Sequence, residues 1–154
     1  MERTLAIIKP DAVAQRHTGD IISLAEKNGF KIDVMVKATL PEDVFADFYA
    51  VHKDKSFYRE MVRDMAAGPV VVMVLEKEQA VADWRRLMGA TNPAEAAEGT
   101  IRKLYGQSIG HNAVHGSDSV ANAEAEIALM FGGEESDLAE CETECDESEE
   151  ESCC

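Results

Sequence analysis

Gly68-Pro69-Val70-Val71-Val72-Met73-Val74-Leu75 is the stretch on which the fold turns. Its unbroken apolar run is too short for a buried helix, and its many β-branched valines favour extended backbone. The run predicts a strand covered on both faces. Gly68-Pro69 stops whatever helix precedes it, and proline is tolerated at the first residue of a strand.

Working back from that strand, Phe57 to Ala67 reads as a helix, and Pro41-Glu42-Asp43 opens another, with Val44, Phe45, Phe48 and Tyr49 at helical spacing. Phe30, Ile32, Val34, Val36 and Ala38 alternate with mostly polar neighbours, the clearest period-two strand in the chain. Ile21, Ile22, Leu24 and Ala25 follow Gly19-Asp20 with helical spacing, closed by Asn28-Gly29. Thr4 to Lys9 is a buried strand that stops at Pro10-Asp11, with a loop expected beyond.

Working forward, Gln79 to Met88 has helical spacing, and Gly89 to Ile109 is expected to be irregular except for a helical turn near Ile101 to Tyr105. A fourth strand is expected within Lys103 to Val114. Ser117-Asp118-Ser119 can cap a helix from Val120 to Phe131, ended by Gly132-Gly133. The order predicts an α+β fold: a ferredoxin-like βαββαβ antiparallel sheet with helices on one face.

The chain of 154 residues is sized for one domain, and its net charge of -15 is unevenly spread. Residues 1 to 133 hold 19 acidic against 15 basic side chains; residues 134 to 154 hold 11 acidic side chains and no Lys or Arg. The expected organisation is therefore a domain over 1–133 and an acidic, flexible tail over 134–154. Cys141, Cys145, Cys153 and Cys154 all lie in the tail. With no signal-peptide pattern at Met1-Glu2-Arg3-Thr4, and no apolar run near the roughly 18 to 20 residues a bilayer needs, the expectation is a cytoplasmic protein off the membrane. A disulfide framework is not expected there. Cys141-x-x-x-Cys145 with Cys153-Cys154 could be read as a metal-binding segment, but nothing in the sequence supplies the fold that would hold a second ligand pair, so a solvated acidic segment is the preferred reading.

The chemistry concentrates in Asn112-Ala113-Val114-His115-Gly116-Ser117-Asp118. A neutral imidazole has a lone pair and an ordinary pKa near 6.5, so histidine can serve as a nucleophile at neutral pH. Only one ring nitrogen attacks; the other needs an acceptor, for which a carboxylate on the following helix is suitable. Gly116 leaves room for a phosphate, and Ser117 and Asn112 offer short polar contacts.

This segment resembles the active-site signature of the nucleoside diphosphate kinases. Lys9-Pro10-Asp11, Gly68-Pro69-Val70, Thr91-Asn92-Pro93 and Gly99-Thr100-Ile101-Arg102 are also similar to family segments, in family order. The resemblance spans roughly residues 3 to 131. It implies ping-pong transfer of the γ-phosphoryl group from a nucleoside triphosphate such as ATP to a diphosphate, through a phosphohistidine at the pros nitrogen of His115. Glu126 and Ser117 would orient that ring. Lys9, Tyr49, Arg85, Thr91, Arg102 and Asn112 would bind phosphates or sugar, and Phe57 would stack on the base with little preference among bases. Mg2+ would arrive on the nucleotide phosphates rather than on a protein metal site.

Of Arg85-Arg86, the resemblance selects Arg85; the other is expected to face solvent. Ser56, where the family often has proline, and Tyr58, where it often has phenylalanine, depart from the pattern without removing a catalytic group. His17, His52 and His111 are read as structural, as are Phe48 and Tyr58. The net negative domain argues against nucleic acid as a partner. A homo-oligomer is implied, with a dimer favoured over a tetramer because Glu134-Glu135 would repel its own copy across a symmetry axis.

Overall fold

The computed structural model describes residues 1–132. Strands β1 (Glu2–Ile8), β2 (Lys31–Ala38), β3 (Val70–Lys77) and β4 (Val114–Gly116) form one sheet in the order β2-β3-β1-β4. Every neighbouring pair is antiparallel. The helices are α1 (Pro10–Ala14), α2 (Thr18–Lys27), α3 (Glu42–Phe48), α4 (Tyr58–Ala66), α5 (Ala80–Met88), α6 (Ile101–Tyr105) and α7 (Val120–Phe131). The acidic tail and its cysteines fall outside the described residues.

The two central strands sort their side chains by parity, as pleating requires. Ala6, Ile8, Val71, Met73 and Leu75 pack with Ile21 and Ala25 of α2 and with Ala80, Trp84 and Met88 of α5. Leu5, Ile7, Val70, Val72 and Val74 pack with Phe45 and Phe48 of α3, Val62 and Met65 of α4 and Ile127 of α7. The crossover helices α2 and α5 thus lie on one face, as the βαββαβ plan expects. The opposite face is also covered, by α3, α4 and α7, which that plan left out. Burial of both faces is what the continuous apolar run of β3 demands.

Three local expectations are corrected. The stretch after Lys9 is helical, because Pro10 at the start of α1 has its φ already set for a helix and no N–H to leave unpaired. The alternation of β2 breaks at a bulge: Ile32 pairs with Leu75 and Val34 with Val74, leaving Asp33 extra. Ile32 therefore joins one core and Val34 the other, while Met35 and Val36 are exposed. The fourth strand does not occupy Lys103 to Val114 but begins at its last residue. Thr100 caps α6 by accepting the Lys103 N–H at 3.4 Å, and Gln107 N–H then turns back to His111 O at 2.8 Å, so no straight segment is available before Val114.

Candidate active site

His115 sits at the centre of β4, opposite Ile7 of β1, and so faces α3 and α7. The capping side chain of Ser119 accepts the Asn122 N–H at 3.1 Å and starts α7, whose next turns bring Glu126 to the ring. Glu126 Oε1 lies 3.2 Å from His115 Nε2, and Ser117 Oγ donates to the other oxygen, Oε2. Leu5 N–H in turn donates to Ser117 Oγ at 3.3 Å, tying this relay to β1. Phe48 and Tyr49 stand edge-on to the imidazole, with ring centroids 5.0 and 5.9 Å away.

Burial in this setting lowers the His115 pKa below 6.5, with Glu126 opposing the shift and the charges of Lys9 and Arg102 assisting it. The neutral imidazole is favoured. With Nε2 held by the carboxylate, Nδ1 carries the free lone pair.

A cationic group lies beside the ring. Lys9 follows β1 at the start of α1, and its ammonium donates to Asn112 Oδ1 at 2.7 Å; Asn112 Nδ2 donates to Thr91 O at 3.2 Å. Desolvation and the neighbouring Arg102 bring the Lys9 pKa down to about 8, against the opposing carboxylates of Asp11 and Asp64. Arg102 spans from α6 to two carbonyls, Gly89 O and Val114 O, each at 3.0 Å. Its buried Nε has no partner among the described residues, and burial with the nearby Arg85 lowers its pKa to about 10. Arg85 is exposed on α5, whereas Arg86 pairs with Asp83 at 3.2 Å, so among the described residues Arg85 is the member of the pair without an ion-pair partner, and its charge acts on Arg102 and Asp118.

The rings form a row leading outward. Tyr49 is buried, and burial raises the pKa of its hydroxyl, which has no partner among the described residues. Its ring lies 6.5 Å from that of His52, which lies 6.3 Å from that of Phe57. Phe57 is 48% exposed, with the Lys55 ammonium 5.6 Å from its centroid.

This arrangement has known relatives. The family model for nucleoside diphosphate kinase matches residues 2–136. The chain belongs to the nucleoside diphosphate kinase family. A nucleoside diphosphate kinase of Chlorobaculum parvum is 55% identical over 135 residues, covering 88% of this chain and 96% of that protein. One from Chlamydia muridarum is 56% identical over 131 residues, with coverage of 85% and 93%. Among solved structures, the apo nucleoside diphosphate kinase of Encephalitozoon cuniculi superposes with a TM-score of 0.83 at 42% identity, over 86% of this chain and 90% of that one. A halophilic one from Halobacterium salinarum in complex with CDP gives 0.82 at 42% identity, over 84% and 87%.

Within this kinase the residues singled out by sequence do converge, with distinctions in detail. Lys9, Arg102, Asn112, His115, Ser117 and Glu126 form one connected group, and Tyr49 joins it through ring contact. Thr91 takes part through its carbonyl. Gly116 has a different reason from the one expected. It faces α5, on the sheet face opposite His115, and a Cβ there would stand 2.7 Å from Met88 Cε and 2.8 Å from Trp84 Nε1. Trp84 uses that closeness to donate to His115 O at 3.3 Å. Phe48 and His52, read as structural, also lie against the ring row; an aromatic at helical spacing carries no local mark of which neighbour it will meet.

Proposed function

We propose that this nucleoside diphosphate kinase carries the transferred phosphoryl group on Nδ1 of His115, in a ping-pong exchange. The observation that supports it best is the one-sided hold on the ring, Nε2 lying against Glu126 at 3.2 Å. In the first half-reaction the Nδ1 lone pair forms an N–P bond to the γ-phosphorus of a nucleoside triphosphate such as ATP. The bond to the bridging oxygen breaks, and the nucleoside diphosphate leaves with that electron pair. In the second, a terminal phosphate oxygen of another diphosphate attacks the same phosphorus, and the N–P electrons return to Nδ1. The proton on Nε2 stays directed at Glu126 throughout, so no proton transfer is required.

Lys9 and Arg102 would neutralise charge on the transferring oxygens, with Arg85 reaching in from α5. Asn112 and Thr91 would contact phosphate or sugar, and the Tyr49 hydroxyl is suited to the same end of the nucleotide. Phe57 would stack on the base, a contact indifferent to base identity. A nucleotide substrate is supported by the CDP held in the Halobacterium salinarum relative.

Mg2+ would reach the site on the nucleotide, where it balances phosphate charge. Glu126 is bonded to His115 and Ser117, Asp118 to Asn122 and Asp11 to the Ala113 N–H, while Lys9 and Arg102 offer positive charge suited to the phosphates that would carry the ion.

A homo-oligomer, a dimer first and a tetramer second, belongs to the same proposal. Its support is β2, an edge strand with Met35 and Val36 exposed at 51% and 44%. Cytoplasmic residence belongs to the same proposal. Among the described residues no helix is long and apolar enough to cross a membrane.

The deciding experiment is incubation with γ-labelled ATP, which should give an acid-labile, base-stable phosphoenzyme. His115→Ala should take no label; retention of label in that variant would end the assignment.

A further inference from the structure

Asn112 and His115 flank an unusual piece of backbone. Ala113 is fully buried and has φ +73, a region an alanine seldom enters. Val114 N–H donates to Asn112 O at 2.9 Å, closing a three-residue turn around it. Such a turn persists only where its surroundings hold it, and a buried N–H there needs a partner. Both peptide groups of Ala113 are held from the junction of β1 and α1: its N–H donates to Asp11 Oδ2 at 3.2 Å, and its carbonyl accepts the Lys9 N–H at 2.8 Å.

Asp11 lies two residues beyond Lys9 and has no role in the transfer described above. Resting on the reading of Asn112 and His115 as site residues, we propose that Asp11 is a positioning residue: its carboxylate fixes the Ala113 turn that sets Asn112 and His115. With the turn held from the junction of β1 and α1, Asn112 keeps its Oδ1 on the Lys9 ammonium at 2.7 Å and its Nδ2 on Thr91 O at 3.2 Å.

Two substitutions in the full chain test this. Asp11→Asn keeps an oxygen for the Ala113 N–H; Asp11→Ala removes it. Exchange of the Ala113 amide hydrogen should quicken about tenfold in Asp11→Ala, from loss of one charge-assisted hydrogen bond, and stay near wild type in Asp11→Asn. In Asp11→Ala kcat should fall about tenfold with KM changed less, and Asp11→Asn should restore it. Unmoved Ala113 exchange or unmoved kcat in Asp11→Ala overturns the proposal. If Asp11→Ala does not fold, Asp11→Glu, whose longer side chain displaces the oxygen, takes its place with the same expected quickening. The exchange readout needs no turnover. A wild-type chain that takes no label at His115 would refute the phosphohistidine reading while leaving the Asp11 result standing.

Discussion

At the scale of single residues, the titrations of His115 and Lys9 set opposite edges of the working range. Burial lowers the pKa of His115, so protonation removes the nucleophile only below its ordinary value of 6.5. Lys9 loses its proton as pH rises through about 8, and with it one charge for the phosphates. The profile of kcat/KM against pH should therefore be bell-shaped, with its acid limb below 6.5 and its alkaline limb near 8. A flat profile from neutral to strongly alkaline pH would remove Lys9 from the binding group. Gly116 makes a separate case. Alanine there must displace Met88 or Trp84, whose near atoms lie 2.7 and 2.8 Å from the added Cβ. Gly116→Ala should cost about 1–3 kcal/mol of stability by overpacking, read as a lower Tm. It should also lower kcat, because Trp84 bonds the His115 carbonyl.

At the scale of elements, local chemistry fixes ends better than faces. The Ser119 cap of α7 and the Gly29 stop after α2, at φ +88, follow from side chains visible in the sequence. Ser119→Ala should therefore cost about 1 kcal/mol in urea denaturation. A loss far below that would mean that packing of Ile127, not the cap, holds the helix start. The run Val70–Leu75 correctly demanded cover on both sides, yet the fold-level plan supplied helices for one. The contradiction was present in the sequence, because a six-residue apolar strand cannot leave one face wet. What was not present was the identity of the cover, since α3, α4 and α7 carry apolar stripes that fit either face. The Asp33 bulge was equally hidden: an alternating strand looks the same until its partner's register is known.

At the scale of the whole molecule, charge and sheet edges are the features that would bear on the proposed association. The 11 acidic side chains of residues 134–154 account for most of the net charge of -15. At physiological ionic strength, with a Debye length of about 8 Å, charges farther away than this contribute little beside Lys9 and Arg102. In the proposed oligomer the exposed apolar pair on β2, Met35 and Val36, would be a more direct determinant of assembly. Light scattering at micromolar concentration should give about twice the chain mass of 16.8 kDa, and Val36→Lys should shift it towards the monomer. A monomeric wild type would refute the oligomer.

The sequence by itself determined where most elements lie, which histidine carries the family motif and which residue types stand beside it in the chain. Those properties are written in short spans: helical and strand periods, caps, turns and the motif around His115. Tertiary structure decided which ring nitrogen is free, why residue 116 is glycine, and how an alanine at φ +73 is held by Asp11. Each depends on groups brought together from distant parts of the chain. Asp11 and Ala113 are 102 positions apart, and only the pairing of β4 with β1 makes them neighbours. Periodicity can say that a residue is buried, but register and packing determine what it meets.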